Sequence, residues 1–279
     1  MMTKKKAGLF GRITAWIKDV WEWLSDMEDW KRLLRSVPSL VVTAFAVSVV
    51  VMNLMAAKTI IMTDPSWLGI TGGLFISWVP FLCMDVVTKT YGARAATKLN
   101  ILTLIINLIC IAFFHLISHI YIGPAAEEYP YTSFDAAFSQ TWQIFTASSV
   151  AFLLSGIVNN CLNVLIGNRF KKDPEGRAAY MTRSYISTAV GQFVDNYVFT
   201  GLAFLVFFKM SIGSTLGWTG TTVLGTALFG ALLELLMEVV FSPIGYKVCQ
   251  NWRKEEVGKD YLEYCRRMEV YKDRGRVNY

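Results

Sequence analysis

Six apolar stretches dominate this sequence, and each is long enough, or nearly so, to cross a lipid bilayer. A helix needs about 20 apolar residues to span the ~30 Å hydrocarbon core. Hydrophobic residues make up 54% of the 279 residues and charged residues only 17%, too apolar a composition for an ordinary soluble domain. The stretches lie near residues 38–62, 67–89, 96–121, 141–168, 182–208 and 219–248. The sequence therefore predicts an all-α membrane protein with six transmembrane helices.

The distribution of lysine and arginine predicts how these helices are oriented. Basic residues collect before the first span, after the second, after the fourth and in the C-terminal tail. The connections after the first and third spans have none, and the connection after the fifth has only Lys209. Because basic residues accumulate on the cytoplasmic side of membrane proteins, we expect both termini to be cytoplasmic. The expected location is the inner (plasma) membrane.

The same charge pattern divides the chain into three regions. Residues 1–36 mix basic side chains with tryptophans, which is typical of an amphipathic helix in the headgroup layer. Residues 37–250 form the predicted transport domain of six helices, and residues 251–279 form a charged cytoplasmic tail. No cleavable signal peptide is expected, because the N-terminal region lacks a short apolar core followed by a small-residue cleavage site.

The fifth span has a continuous polar face. Asp195 lies about half-way along it, where an ionised carboxylate costs about 2.5–3.5 kcal/mol on insertion scales. Lipid offers polar groups no partners, so the face must line protein or water. The residues that share it by helical spacing are Ser184, Ser187, Thr188, Gly191, Gln192, Asp195, Asn196 and Phe199. We interpret this face as a binding surface.

The fourth and sixth spans add polar side chains that are expected to face inward. Span four contributes Ser148, Ser155, Asn159, Asn160 and Asn163, and span six contributes Gly230, Glu234 and Glu238. Hydrogen bonding between helices, worth about 0.6 kcal/mol per pair, explains serines and single amides well. It explains intramembrane carboxylates poorly, since these are expensive and mark ligand pathways. We therefore predict a substrate site between these three spans.

Other polar residues are candidates with equally good structural explanations. Asp85 and Lys89 are four residues apart, which suits a helical ion pair as well as a site. Asn53 is a polar residue late in an otherwise apolar first span. His115 and His119 share a helical face, but two histidines without a third ligand are a weak metal signal. We predict no metal site.

The sequence has no catalytic motif. An intramembrane aspartyl protease needs two facing aspartates, and Asp85 and Asp195 qualify only by residue type, because the surrounding protease signatures are missing. The sequence contains no nucleotide-binding loop, and its five cysteines have no metal or redox spacing. The predicted protein is not an enzyme and has no cofactor and no nucleic-acid partner.

Five segments in a characteristic order resemble a known family. They are NLMAAK, MDVVTKTYGARAA, TASSVAFLLSGIVNN, STAVGQFVDNYVF and EVVFSPIGYKV, and they fall within about residues 40–250. The chain resembles the VUT family, the putative vitamin uptake transporters also described as queuosine precursor transporters. It differs from the pattern of that family at Asn159, where an aspartate is frequent, and at Glu234, where a lysine is frequent.

The resemblance implies a fold similar to the substrate-binding subunits of ECF vitamin importers and uptake of 7-deazaguanine bases without a dedicated ATPase. The expected partners are a purine-like small molecule and the lipid bilayer, and the oligomeric state is left open, homo-oligomers included. The expected substrate-binding residues are Asp195, Gln192, Asn196, Phe199, Asn159, Asn160, Ser155, Glu234, Glu238, Asn53, Asp85 and Lys89. The alternative is a substrate-capture subunit that needs partner ATPases.

The loop charges predict which positions are accessible from outside the cell. In a background without native cysteines, a cysteine at Ser133 should react with an impermeant thiol reagent, because its loop has no basic residue. A cysteine at Glu175, in a strongly basic loop, should not react until the membrane is permeabilised. The reverse labelling pattern would contradict the orientation.

Overall fold

The computed structural model describes residues 21–120, 135, 138–139, 141–167 and 177–277, and most of these are helical. In chain order the elements are α1 (Met27–Ser36), α2 (Ser39–Ala56), β1 (Thr59–Ile61), β2 (Gly69–Thr71), α3 (Trp78–Tyr91), α4 (Ala93–Ile117), α5 (Thr141–Gly167), α6 (Arg177–Thr200), α7 (Phe208–Ile212), α8 (Gly220–Lys254) and α9 (Lys259–Val277). Residues 1–20 of the predicted amphipathic segment, and the loop positions Ser133 and Glu175, lie outside the described part.

Four helical segments in the described residues are long and apolar enough to cross a membrane. They are Ser39–Ala56, Arg94–Ile117, Ala189–Ile212 and Gly220–Phe241. Helix α5 has 27 residues, and α3 contains a shorter apolar segment, Trp78–Thr88. These helices confirm a helical, multi-pass membrane protein. The count of six spans stays a prediction.

The second predicted span, 67–89, differs from the observed structure in its first half. Only α3 is helical there, whereas the residues before it form β2 and a 3₁₀ turn over Gly72–Phe75. This turn lies against α2 so closely that a Cβ on Gly72 would come 2.6 Å from the carbonyl oxygen of Met55. Glycines thus allow a close approach of two backbones that an ordinary helix would prevent.

Backbone groups of the irregular segment before α3 find hydrogen-bond partners within the protein. Strands β1 and β2 form an antiparallel hairpin in which Ile60 pairs with Ile70. The hydroxyl of Thr226 on α8 donates to the carbonyl of Gly69 at 2.6 Å and accepts from its N–H at 3.2 Å. Non-helical backbone at membrane depth requires such internal partners, because lipid provides none.

Two hydrophobic clusters of buried residues hold the described helices together. One joins the terminal helices to α2, α3 and α4 and includes Leu33, Tyr91, Leu99 and Tyr261. The other, which includes Phe204 and Trp218, joins α2, α5 and α8 to a π-helical turn over residues Gly201–Phe207. The rings of Phe204 and Trp218 are stacked with centroids 4.4 Å apart.

A buried ion pair joins the terminal helix α1 to α4. The ammonium of Lys98, near the start of α4, is fully buried and lies 2.5 Å from the carboxylate of Asp29 on α1. The rings of Trp23 and Trp30 each lie 5.2 Å from the same ammonium.

Burial raises the pKa of the Tyr261 phenol on α9, and hydrogen bonds with Cys265 and Asp29 add to the rise, so this phenol stays protonated.

Removing one partner of this ion pair should destabilise the protein strongly. Lys98→Met leaves the Asp29 carboxylate buried without its cation, a change that typically costs about 3–5 kcal/mol. We expect a large fall in the unfolding temperature in detergent. The double variant Asp29→Leu, Lys98→Met should recover part of the loss, because no unpaired charge remains.

The matched control is Lys259→Ala, since Lys259 pairs with Glu256 at 2.8 Å but both side chains are more than half exposed. This variant should unfold at the wild-type temperature. Equal unfolding temperatures for Lys98→Met and Lys259→Ala would show that the buried pair does not hold the terminal helices.

Candidate functional site

A cavity of about 330 Å³ lies between six of the helices. Its described lining comprises Phe45, Val49 and Met52 of α2; Trp78, Pro80, Phe81, Leu82, Met84 and Thr88 of α3; Asn100 and Leu104 of α4; Ser148, Phe152 and Ser155 of α5; Gly191, Gln192 and Asp195 of α6; and Glu234, Met237 and Phe241 of α8. This volume is at the small end of the range for ligand pockets. The lining is mostly apolar with a few polar groups, as in sites for small flat molecules.

The charged residues in the described lining are two acids on neighbouring helices. The hydroxyl of Ser155 donates to Oδ1 of Asp195 at 2.9 Å. The amide of Asn196 donates to Oε2 of Glu234 at 3.0 Å, and the side chain of Ser77 also contacts this carboxylate. Both carboxylates line the same cavity. Each acid therefore accepts a hydrogen bond from a neutral donor and has a second acid in the same cavity lining.

Gln192 adds an acceptor that has no donor. Its side chain is only 7% exposed, lines the cavity, and has no hydrogen-bond partner for Oε1 among the described residues. A buried amide oxygen without a partner costs about 1–3 kcal/mol. Together with the two carboxylates, this oxygen gives the cavity an excess of acceptors. A ligand rich in N–H donors would complement it.

Aromatic rings supply the apolar wall of the cavity. Trp78 and Phe241 are stacked with centroids 4.1 Å apart and planes inclined by 10°. Trp78 is the first residue of α3, next to Ser77, which contacts Glu234. The break before α3 thus places a flat surface at the level of the acids. Flat aromatic ligands stack on such surfaces with ring centroids about 4.5–7 Å apart.

Glycines on the facing helices leave room for this arrangement. A Cβ on Gly230 of α8 would lie 3.0 Å from the side-chain amide of Asn196. That amide also donates to the backbone carbonyl of Gln192 at 3.0 Å, which fixes its rotamer. Gly230 therefore allows Asn196 to reach Glu234 across the contact between α6 and α8.

The structure brings together part of the predicted site. Asp195, Gln192, Ser155 and Glu234 line the cavity, and Asn196 contacts it through Glu234. For five other predicted residues the structure describes the backbone but not the side chain. They are Asp85 and Lys89 of α3, Asn159 and Asn160 of α5, and Glu238 of α8.

Two predicted residues are placed elsewhere. Asn53 is buried and donates to the carbonyl of Val49 at 3.2 Å, within its own helix. Phe199 packs edge-on against Phe204, with centroids 6.2 Å apart, in the cluster around Trp218. Neither belongs to the described lining of the cavity.

Sequence reasoning missed Trp78, Phe241 and Ser77. The sequence did not indicate Trp78, because residues 67–89 were interpreted as one continuous helix and the start of α3 at Trp78 was not predicted. Phe241 had a usable signal, since it follows Glu234 at i+7 and therefore shares its helical face.

A bundle of membrane-crossing helices around a small, acidic, aromatic cavity defines a transporter or a membrane receptor for a small molecule. The family model described as putative vitamin uptake transporter matches residues 71–248, more than half of the chain. The chain belongs to this family of transporters. No curated protein and no solved structure matches it.

A methyl group on Gly230 should disturb the cavity without unfolding the protein. Gly230→Ala pushes the amide of Asn196 away from Glu234, and a hydrogen bond to a charged group contributes about 1.5–3 kcal/mol. If ligand affinity depends on this arrangement, it should fall about ten- to hundredfold. The measurement is ligand binding or uptake at equal protein levels.

Gly201→Ala is the matched control, because a Cβ there meets only Val223, at an ordinary 3.9 Å. It should bind as wild type does. Equal affinities for the two alanine variants would show that the contact between Asn196 and Glu234 does not shape the site.

Proposed function

We propose that this member of the vitamin uptake family imports queuosine precursors into the cell across the inner (plasma) membrane. The substrates are 7-deazaguanine bases such as 7-cyano-7-deazaguanine and 7-aminomethyl-7-deazaguanine. The family membership supports uptake of a vitamin or other small molecule, and the resemblance stated from the sequence motifs supports this substrate class. The observation that carries the proposal is a cavity that combines two carboxylates and one buried acceptor without a described donor, Oε1 of Gln192, with a stacked aromatic pair.

The hydrogen-bonding pattern of a 7-deazaguanine matches the polar groups of the cavity. The ring N–H and the exocyclic amine are adjacent donors, which one carboxylate can accept side by side. Asp195 is the residue to which we assign this role, since the described partner of its carboxylate is the neutral hydroxyl of Ser155. The carbonyl oxygen of the base needs a donor, and the side-chain amides of Gln192 and Asn100 both line the cavity.

The flat face of the base needs an apolar partner. We assign stacking to Trp78 and Phe241, which line the cavity, and not to Phe199, which packs against Phe204. Adenine is expected to bind poorly, because it has a donor where guanine has its carbonyl. A mismatch of this kind leaves buried groups unpaired at about 1–3 kcal/mol each.

Transport is proposed to be secondary or facilitative. The alternative, a capture subunit of an ECF-type importer, would need an exposed patch of small residues on the first span to dock its partner. The candidate patch is MAAK, and Ala56 within it is buried at 3% exposure in the cluster around Trp218. This burial favours a protein that works without partner ATPases.

Asp195→Asn should weaken binding of 7-deazaguanines. The change keeps the volume but replaces an acceptor with a donor, which opposes a donor of the base. A charge-assisted hydrogen bond contributes about 1.5–3 kcal/mol, so affinity should fall about ten- to hundredfold or more. Titration of the purified protein with 7-cyano-7-deazaguanine measures the effect, while thermal unfolding checks that the variant is folded.

Asp64→Asn makes the same chemical change at an exposed position between β1 and β2. This control should bind as wild type does. Wild-type affinity in Asp195→Asn would contradict our placement of the base, and poor folding with normal affinity would make Asp195 a structural residue.

A further inference from the structure

The cavity contains two carboxylates and its described lining contains no cationic side chain. Asp195 and Glu234 are hydrogen bonded to Ser155 and Asn196, which are neutral. Once a bound base has displaced water from a largely apolar cavity, two ionised carboxylates in its lining are strongly unfavourable unless a positive charge joins them. The question is where that charge comes from.

Among the described side chains of the surrounding helices, no cation lines the cavity. Helices α2 and α5 contain no Asp, Glu, Lys, Arg or His. On α4, Lys98 is paired with Asp29. The α4 side chains of Arg94 and His115 are not in the described lining.

The remaining basic residues lie further along their helices. On α3, Lys89 follows Thr88, which lines the cavity, and its side chain lies outside the described part; at ~1.5 Å per residue it lies about 18 Å along the axis from Ser77 at the other end of the helix. Arg183 of α6 lies about 18 Å from Asp195, and Lys247 of α8 about 20 Å from Glu234. The titratable groups nearer the cavity on these helices, Asp85 and Glu238, are acids.

A second feature adds an acceptor to the same cavity. Oε1 of Gln192 is buried, lines the same cavity and has no donor among the described residues. Among the described lining residues, the cavity therefore lacks a donor for this oxygen and a positive charge for the two acids. A neutral base supplies donors but no charge, so the charge must be carried separately.

We propose that the pair Asp195–Glu234 takes up one positive charge with each substrate molecule, and that this charge is a proton on Glu234 when the base is neutral. This inference rests on the proposed function and adds the source of energy for uptake. On loading, a proton from outside forms an O–H bond with the Glu234 carboxylate. That proton leaves to the cytoplasm when the base leaves, so the carboxylate is regenerated and no electron is transferred.

Glu234 is assigned the proton because Asp195 is needed in its ionised form to accept the two donors of the base. Glu234 is also buried, at 8% exposure. Its carboxylate accepts a hydrogen bond from the amide of Asn196 at 3.0 Å, so it keeps a partner when the proton is gone. A base that carries its own ammonium group, such as the aminomethyl form, supplies the positive charge itself and needs no proton.

The experiment uses the purified full chain in vesicles, with the membrane potential clamped and labelled 7-cyano-7-deazaguanine outside. With the outside one pH unit more acidic, coupling to one proton should drive accumulation up to about tenfold above equilibrium. Adding this base should also acidify the vesicle interior, as read by a trapped pH-sensitive dye. The cationic aminomethyl base should enter without that acidification.

Glu234→Gln should show no accumulation of the cyano base from the pH gradient and no acidification when that base is added, while Asp64→Asn should behave as wild type does. Exchange in the wild type without any effect of the gradient, or accumulation retained in Glu234→Gln, would overturn the inference alone. If Glu234→Gln does not fold, the dye measurement on the wild type tests the inference: acidification with the cyano base supports it, and no acidification contradicts it. Absence of any exchange of either base by the wild type would overturn the proposed function, and this inference with it.

Discussion

The structure depends on one constraint, namely that lipid offers no partner to a polar group. Every polar side chain or irregular backbone segment at membrane depth must therefore find its partners within the protein. The hairpin of β1 and β2 meets this requirement through its own pairing and through Thr226. The cavity meets it only in part, because Gln192 keeps an acceptor without a donor among the described residues. Because this acceptor lines the same cavity as Asp195 and Glu234, a ligand with donors can pair with it.

The late start of α3 links the fold to the site. Because the chain before Trp78 packs against α2 through Gly72, α3 begins at Trp78, which lines the cavity together with Glu234. Discontinuous helices near substrate sites are a recurring feature of transporters. The family match begins at residue 71 and ends at 248, so it contains this break and the acids but neither terminal helix. The buried pair of Lys98 and Asp29 joins the matched region to the segment before it.

Much of the architecture was predictable, because a membrane helix leaves a long apolar run in the sequence. The fourth span was predicted at 141–168, and α5 is Thr141–Gly167. Helical spacing also placed Ser155, Asp195 and Glu234 on inward faces, and the cavity contains all three. What failed was the start of α3, since apolar content does not distinguish a helix from a hairpin buried against one. The same error concealed Trp78, and spacing within α6 could not reveal that Phe199 packs against Phe204.

The most direct test of the account is uptake of labelled 7-deazaguanine bases by cells that cannot make queuosine and have no other importer. With this chain as the importer and no added ATPase subunit, we predict accumulation of label and restored queuosine in transfer RNA. An excess of unlabelled 7-cyano-7-deazaguanine should compete with the label, whereas adenine should not. Uptake only in the presence of added ATPase subunits would favour the capture-subunit alternative. Absence of uptake from cells that contain the protein in their membrane would contradict the central claim.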